Sequence, residues 1–181
     1  GNDHEVYTSG IEAPHIIQSI NDADFDIEIK FETGVDAPNY EEQGVFVKES
    51  DSKYLRFDFY NNGGDTRIYS QGYDQGSAST AFVNSRIDDD GVSPLYMRIS
   101  RVGDQWTQAY SFDSTNYTTA ATFTYSLDAN GIGIFAGNAG SNPAHTIQVD
   151  YFFNRAAPIS PEDSADVPLP PELDQQADIV T

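Results

Sequence analysis

The feature that most constrains this chain is the alternation of apolar and polar residues within short segments. Residues 24–31 alternate over eight positions, with Asp24, Asp26 and Glu28 on the polar side. Residues 53–60 repeat the pattern: Leu55, Phe57 and Phe59 share one face, and Tyr54, Arg56, Asp58 and Tyr60 share the other. Successive side chains point to opposite sides of a β-strand, so a period of two predicts strands with one face on a core.

Further segments of strand length follow along the chain, and turn residues separate them. They lie at residues 15–20, 44–48, 66–70, 95–102, 105–112, 121–125, 131–136 and 146–153. Glycine, asparagine and aspartate cluster between them, as at residues 61–65. No segment shows a convincing helical period. Many short strands with such turns predict an all-β fold, a two-sheet antiparallel β-sandwich of the jelly-roll kind.

The 181 residues suit one folded domain with an appendage. Residues 1–155 contain the predicted strands and are interpreted as the sandwich. Residues 156–181 hold five of the nine prolines and six acidic residues, with no basic or aromatic residue. Such a composition buries too little apolar surface to order itself, so we expect an acidic, proline-rich linker to a further module.

The charge of the chain argues against several partners. Its formal net charge is −20, and nucleic acids and anionic lipids bind largely through Lys and Arg. No apolar run approaches the roughly 20 residues of a membrane helix. The chain has no cysteine, which excludes disulfides and thiolate metal sites. Neither a nucleic acid nor a membrane is therefore expected as a partner.

The order of motifs along the chain resembles a known group of domains. The series comprises Asp24-Phe25-Asp26-Ile27-Glu28, Gln43-Gly44-Val45-Phe46-Val47, Tyr54-Leu55-Arg56-Phe57-Asp58, Tyr96-Met97-Arg98-Ile99, Gly103-Asp104-Gln105-Trp106, Tyr110-Ser111-Phe112-Asp113, Gly133-Ile134-Phe135-Ala136-Gly137-Asn138 and Val149-Asp150-Tyr151-Phe152-Phe153. It is similar to the DUF1349 group of concanavalin A-like lectin/glucanase domains. Where that group usually has Asp-Gly-x-x-Trp, this chain has Asp113-Ser114-Thr115-Asn116-Tyr117.

The resemblance implies a fold, a ligand class and a location. Such domains are accessory modules of secreted glycoside hydrolases and of large surface proteins. We therefore expect a secreted or cell-surface protein whose module binds an extracellular polysaccharide or glycan. The isolated module is expected to be a monomer and not an enzyme.

The polar row on residues 53–60 is the first candidate binding site. Sugars are held by planar donors and acceptors together with an aromatic ring, and eight residues offer these groups. The predicted carbohydrate-binding residues are Lys48, Tyr54, Arg56, Asp58, Tyr60, Tyr69, Arg98 and Trp106. Two alternatives stay open: Arg56 with Asp58 and Arg98 with Glu28 could form a structural ion-pair ladder, and Trp106 could pack in the core.

The acidic strand at residues 24–28 admits a catalytic alternative. Side chains two apart on one strand face lie roughly 6.5–7 Å apart, and glycosidases use carboxyl pairs at roughly 5–9.5 Å. Asp26 and Glu28 are therefore the residues of a possible glycan hydrolase. The alternative is a solvated, charged strand face.

Asp150 suggests a structural calcium ion as a cofactor. It lies in an otherwise apolar strand that is expected to be buried, where a carboxylate needs a partner. Calcium takes six to eight oxygen ligands, so Asp22, Asp24 or Glu5 would have to assist. Hydrogen bonding of Asp150 to backbone amides is the alternative.

These observations favour a non-catalytic carbohydrate-binding or adhesion module. A structural spacer or protein-interaction module without a sugar site is the first alternative. A glycan hydrolase that uses Asp26 and Glu28 is the second.

Overall fold

A computed structural model of the chain describes residues 4–35, 40–87, 94–139, 142 and 144–156. The strands are β1 (Val6–Tyr7), β2 (Gly10–Ile11), β3 (His15–Ser19), β4 (Phe25–Phe31), β5 (Glu41–Ser50), β6 (Lys53–Asn61), β7 (Thr66–Asp74), β8 (Ser77–Ala78), β9 (Val83–Arg86), β10 (Leu95–Val102), β11 (Gln105–Ser111), β12 (Thr118–Thr124), β13 (Gly131–Asn138) and β14 (Val149–Asn154). The predicted linker lies outside the described residues, apart from Ala156.

The strands form two packed antiparallel sheets and a small ribbon. One sheet has the order β12-β11-β10-β4-β14, and the other runs β3-β13-β5-β6-β7-β8, with β9 also paired to β7. Strands β1 and β2 pair with each other. The prediction of an all-β, two-sheet sandwich is confirmed. Across the described ranges, no helix is long and apolar enough to span a membrane.

The main core lies between the two sheets and follows the alternation in the sequence. Strand β4 contributes Ile27, Ile29 and Phe31, and β6 contributes Leu55, Phe57 and Phe59; Leu95, Met97 and Ile99 of β10 and Ile132 of β13 complete much of it. Burial of a large apolar side chain contributes roughly 1.5–3 kcal/mol. Because the apolar face of each strand meets the other sheet, its polar face must point away from the core.

A second, smaller core lies on the outer face of the larger sheet. The N-terminal segment covers part of this face, so that Val6 and Ala13 pack on Phe46, Tyr54, Tyr73 and Phe135. The polar row of β6 therefore points away from the main core, as predicted, but it is buried beneath residues 4–13. The expectation that this row faces solvent is wrong for most of its length.

Glycines in β13 make room for the side chains of β5. A Cβ on Gly133 would lie 2.4 Å from the Phe46 ring, and one on Gly131 would lie 3.3 Å from Lys48 Cγ. Gly137 lies in the same way against Glu42. The close packing of a strand explains the spacing Gly131-Ile132-Gly133.

Candidate functional site

The strand register brings a set of polar and aromatic side chains together on the outer face of the larger sheet. Glu42 of β5 lies opposite Tyr60 of β6, and Tyr69 of β7 lies opposite Asp58 of β6. At this end of the face a cleft of about 300 Å³ opens beside the N-terminal segment. It is lined by Glu5, Tyr7, Tyr40, Glu42, Arg56, Tyr60, Tyr69, Asn84 and Ala139.

Arg56 forms the floor of the cleft, and neighbouring acceptors occupy its donors. Its Nε and Nη2 donate to the two oxygens of Asp58 at 2.7 and 2.9 Å. Nη2 also lies 2.8 Å from Glu42 Oε1, and Nη1 donates to the Val6 carbonyl at 2.7 Å. The guanidinium lies 5.1 Å from the centre of the Tyr69 ring. Arg56 thus ties the N-terminal segment to the sheet.

Tyrosine rings form the walls of the cleft. The side chains of Tyr7 and Tyr40 are 42% and 44% exposed, so both offer ring surface to a ligand. Tyr40 stacks on Tyr60 with 7° between the ring planes, and Tyr60 meets Tyr69 edge to face. Burial raises the pKa of Tyr69 to about 12, an effect that Arg56 opposes. Its hydroxyl therefore stays protonated at neutral pH and donates to Gln71 Oε1.

Tyr40 is held in a backbone conformation that is unusual for its residue type. Its φ is 61°, in the left-handed region that costs a side chain of this size on the order of 1 kcal/mol. The Tyr40 N–H donates to Asn61 O at 2.8 Å, and Ala139 N–H donates to Tyr40 O at 3.1 Å. These bonds and the stacking on Tyr60 hold the ring at the rim of the cleft.

Glu42 is the more deeply buried of the two carboxyl groups that line the cleft. Burial raises its pKa to about 7; the charge of Arg56 opposes this increase, whereas Asp58 and Glu5 add to it. Its Oε2 is buried and has no hydrogen-bond partner among the described residues. Burial also raises the pKa of Asp58, against the charge of Arg56. Two buried carboxyl groups thus share one guanidinium.

Of the predicted carbohydrate-binding residues, Arg56, Tyr60 and Tyr69 line the cleft. Two others share the face but are too buried for ligand contact. Tyr54 is packed in the second core, with its hydroxyl donating to Tyr7 O. Asp58 lies fully buried behind Arg56. Both assignments are corrected, because the N-terminal segment covers this part of the sheet.

Lys48, Arg98 and Trp106 do not belong to the cleft. Lys48 lies opposite Tyr54, toward the other end of β5 and β6, and pairs with Asp51 at 2.6 Å. Arg98 is in the other sheet, where its Nε donates to Glu28 at 2.6 Å. Trp106 is 0% exposed in the main core, with its Nε1–H bonded to Tyr125 O. The ion-pair alternative describes Arg98 correctly, and the core alternative describes Trp106 correctly.

The acidic face of β4 is neutralised by cations. Asp26 Oδ2 accepts from Arg155 at 2.6 Å. Glu28 accepts from Arg98 and, at 2.7 Å, from the Tyr151 hydroxyl. The Tyr117 ring, which replaces the tryptophan of the resembling group, lies 3.4 Å from the Arg98 guanidinium carbon. These contacts form a ladder across the outer face of the smaller sheet.

The three acids predicted to bind calcium do not come together. Asp150 is at an irregularity of β14, is 45% exposed in its side chain and pairs with Lys30 at 2.8 Å. Asp22 accepts from Arg101 and Ala129, and Asp24 accepts from Gly103. Since Asp24 and Lys30 are six residues apart along an extended chain, these positions lie about 20 Å apart. The prediction of one shared ligand set, with Asp150 buried, is wrong.

Within the described ranges, no three His, Cys, Asp or Glu side chains are placed to hold a metal ion together. Calcium binding by the chain stays a prediction without an assigned site.

Sequence reasoning missed six residues of the cleft: Glu5, Tyr7, Tyr40, Glu42, Asn84 and Ala139. One signal was available for Glu42, because extending the alternation of Gly44 and Phe46 backward by two residues places it on the same face. The others come from four separate parts of the chain, and no local pattern brings them together.

Comparisons with known proteins agree with the architecture. No protein-family model and no curated protein sequence matches the chain. Among solved structures, the GH43 protein BlXynB from Bacillus licheniformis matches with a TM-score of 0.69 and 15% identity, over 83% of this chain and 31% of that one. A functionally unknown protein from Saccharomyces cerevisiae has a TM-score of 0.59 and 10% identity, over 85% and 82% of the two chains.

A tetrameric galectin from Cinachyrella sp. matches with a TM-score of 0.58 and 8% identity, over 78% of this chain and 99% of that one. At these identities the likeness establishes the fold alone, which is the concanavalin A-like sandwich. The chain spans about a third of the length of the GH43 protein. Membership of the DUF1349 group stays a prediction, because no family model matches.

Proposed function

We propose that the chain is a non-catalytic carbohydrate-binding module of a larger secreted or cell-surface protein, and that the tyrosine-lined cleft is its glycan site. The observation that carries this proposal is the combination of exposed Tyr7 and Tyr40 rings with a polar floor of Glu42 and Arg56. A ring covers the apolar face of a sugar, and a fixed acceptor such as the Glu42 carboxylate, which Arg56 holds in place, orients its hydroxyls. The partner would be an extracellular polysaccharide.

The floor of the cleft favours binding over catalysis. Glycoside hydrolysis in most families needs one carboxyl that acts as an acid and a second that acts as a nucleophile or base. Here Asp58 is fully buried and holds Arg56, and Glu42 shares the same guanidinium. Both carboxyl groups have a structural task. The proposal includes membership of the DUF1349 group, for which the motif series and the shared sandwich fold are the support.

The test is a Tyr40→Gly variant. Glycine adopts the positive φ of residue 40 without strain, so the variant removes the ring and keeps the backbone. Loss of the ring should weaken glycan binding by about tenfold, since burying one large apolar group against a ligand contributes roughly 1.5 kcal/mol or more. The melting temperature should change little.

A matched control is Phe112→Ala, which removes a ring of similar exposure, 37%, just beyond β11 in the other sheet. Binding would be measured by a glycan array followed by calorimetry on the best ligand. Equal affinities of Tyr40→Gly and wild type for that ligand would refute the cleft as the site. Absence of any glycan ligand would favour the spacer or protein-interaction alternative.

A further inference from the structure

The cleft has more acidic than basic groups near it, and the basic groups already donate to protein acceptors. Glu5 and Glu42 line it, Asp58 lies behind its floor, and two arginines stand nearby. Arg56 directs its Nε, Nη1 and Nη2 to Asp58, Val6 and Glu42. Arg67 donates from Nε and Nη2 to the side chain and the carbonyl of Asn84. The guanidinium of Arg56 is therefore not free to bind an acidic sugar bidentately, the geometry through which arginine selects carboxylates, and Asn84 occupies the Nε/Nη2 edge of Arg67.

A buried oxygen at the cleft lacks a partner. Glu42 lines the cleft with a side chain only 5% exposed, and its Oε1 faces Arg56. Among the residues that the structure describes, its Oε2 has no hydrogen-bond donor. An unsatisfied buried carboxylate oxygen costs free energy, and a donor in the cleft recovers it when the Glu42 carboxylate turns toward that donor. A donor that also carries positive charge would recover more.

The walls and the whole chain favour the same sign of ligand charge. Tyrosine faces attract cations, and Tyr7 and Tyr40 present exposed rings beside Glu5 and Glu42. The net charge of −20 attracts cations and repels uronic or sulfated glycans at long range. The carboxylate acceptors, the ring faces and the net charge of the chain therefore all favour a cationic ligand.

We infer that the cleft selects glycans that carry protonated amino groups, with Glu42 as the residue that recognises the ammonium; this rests on the proposed function and names its ligand class. Neutral sugars would bind more weakly, and acidic sugars would be excluded. The titration of Glu42 supports the inference: burial raises its pKa to about 7, and a bound ammonium would favour the ionised form. The charged groups near it are Arg56 and Asp58 on β6 and Glu5 on the N-terminal segment.

The experiment compares a glucosamine tetramer with its fully N-acetylated counterpart, which has the same linkage and number of rings but no amine charge. Binding to the whole chain is measured by calorimetry at pH 7 and 50 mM salt. The free-amine tetramer should bind at least tenfold more tightly than the acetylated one. Glu42→Gln should reduce this preference to below threefold, chiefly by weakening the binding of the free-amine tetramer.

A control variant separates the local effect from the general field. Glu32→Gln also removes one acidic charge, at a side chain that follows the end of β4 in the other sheet and pairs with Lys30, and it should keep the preference. Equal or tighter binding of the acetylated tetramer, or a preference that survives in Glu42→Gln, would overturn the inference. If the acetylated tetramer or another neutral glycan then still binds and Tyr40→Gly weakens that binding, the proposed function holds without this inference. If no glycan binds at the cleft, both fail.

Discussion

Replacement of Glu42 by Gln should make the protein more stable above neutral pH. Glu42 has an ordinary pKa of 4.5, and burial raises its pKa in the folded protein to about 7. The folded state therefore binds a proton more tightly than the unfolded state does. By linkage, stability falls as pH rises from about 4.5 to about 7, and the full penalty is present above the folded pKa.

The size of the effect follows from the two pKa values. The difference between 4.5 and about 7 corresponds to about 3 kcal/mol, since one pKa unit is worth about 1.4 kcal/mol. Glutamine keeps the shape of the side chain and an oxygen for Arg56, and Asp58 still balances the guanidinium. We expect Glu42→Gln to exceed wild type by about 1–3 kcal/mol at pH 8 and to lie within about 1 kcal/mol of it at pH 5.

The assay is urea unfolding of both proteins from pH 5 to pH 8, followed by tryptophan fluorescence, for which Trp106 is the only indole. Other titrating groups, including Asp58, are present in both proteins, so the difference between the two curves reports mainly on Glu42. A difference that does not change with pH would show that Glu42 has an ordinary pKa. If the free energy of unfolding of wild type instead increases relative to that of the variant as pH rises, the ionised Glu42 does not destabilise the folded protein.

Two further predictions follow from the ion pairs. Arg56→Ala leaves the carboxyls of Asp58 and Glu42 buried without their cation, and it should cost about 3–5 kcal/mol in urea unfolding at pH 7; a cost below 1 kcal/mol would contradict the buried network. Asp150→Asn breaks only the exposed pair with Lys30, so its small change in melting temperature should be the same with calcium and with chelator. A calcium-dependent difference would place a metal at Asp150.

The alternation in the sequence predicted the central strands closely, because it reflects a local property of extended chain. The predicted strand at residues 95–102 matches β10, and the strand at 24–31 lies within one residue of β4. The predicted strand ends were less accurate. Strand β5 begins at Glu41, whereas the predicted strand began at Gly44 and so left Glu42 out. Strands β1, β2, β8 and β9 were missed, since elements of two to four residues contain too few positions to show a period.

Alternation also separates the two faces of a strand without showing what covers each face. Tyr54 and Tyr60 have the same parity on β6, yet Tyr54 lies in the second core and Tyr60 lines the cleft. Tyr54 is more buried than the pattern predicts, whereas Asp150 is more exposed. Its segment has a composition that predicts burial, but the irregularity in the pairing of β14 with β4 leaves Asp150 exposed beside Lys30. Bulges and covering segments depend on contacts that no local pattern contains.

The sequence by itself determined the class of fold and the side of each long strand that meets the core, because period-two alternation constrains every residue through its immediate neighbours. Only the tertiary structure decided which residues line the cleft. Tyr7, Tyr40, Asn84 and Ala139 come together with Arg56 because distant segments pack over the ends of β5, β6 and β7. The same packing removes water from Glu42 and Asp58, so the charge of the cleft is a product of the fold as well as of its composition.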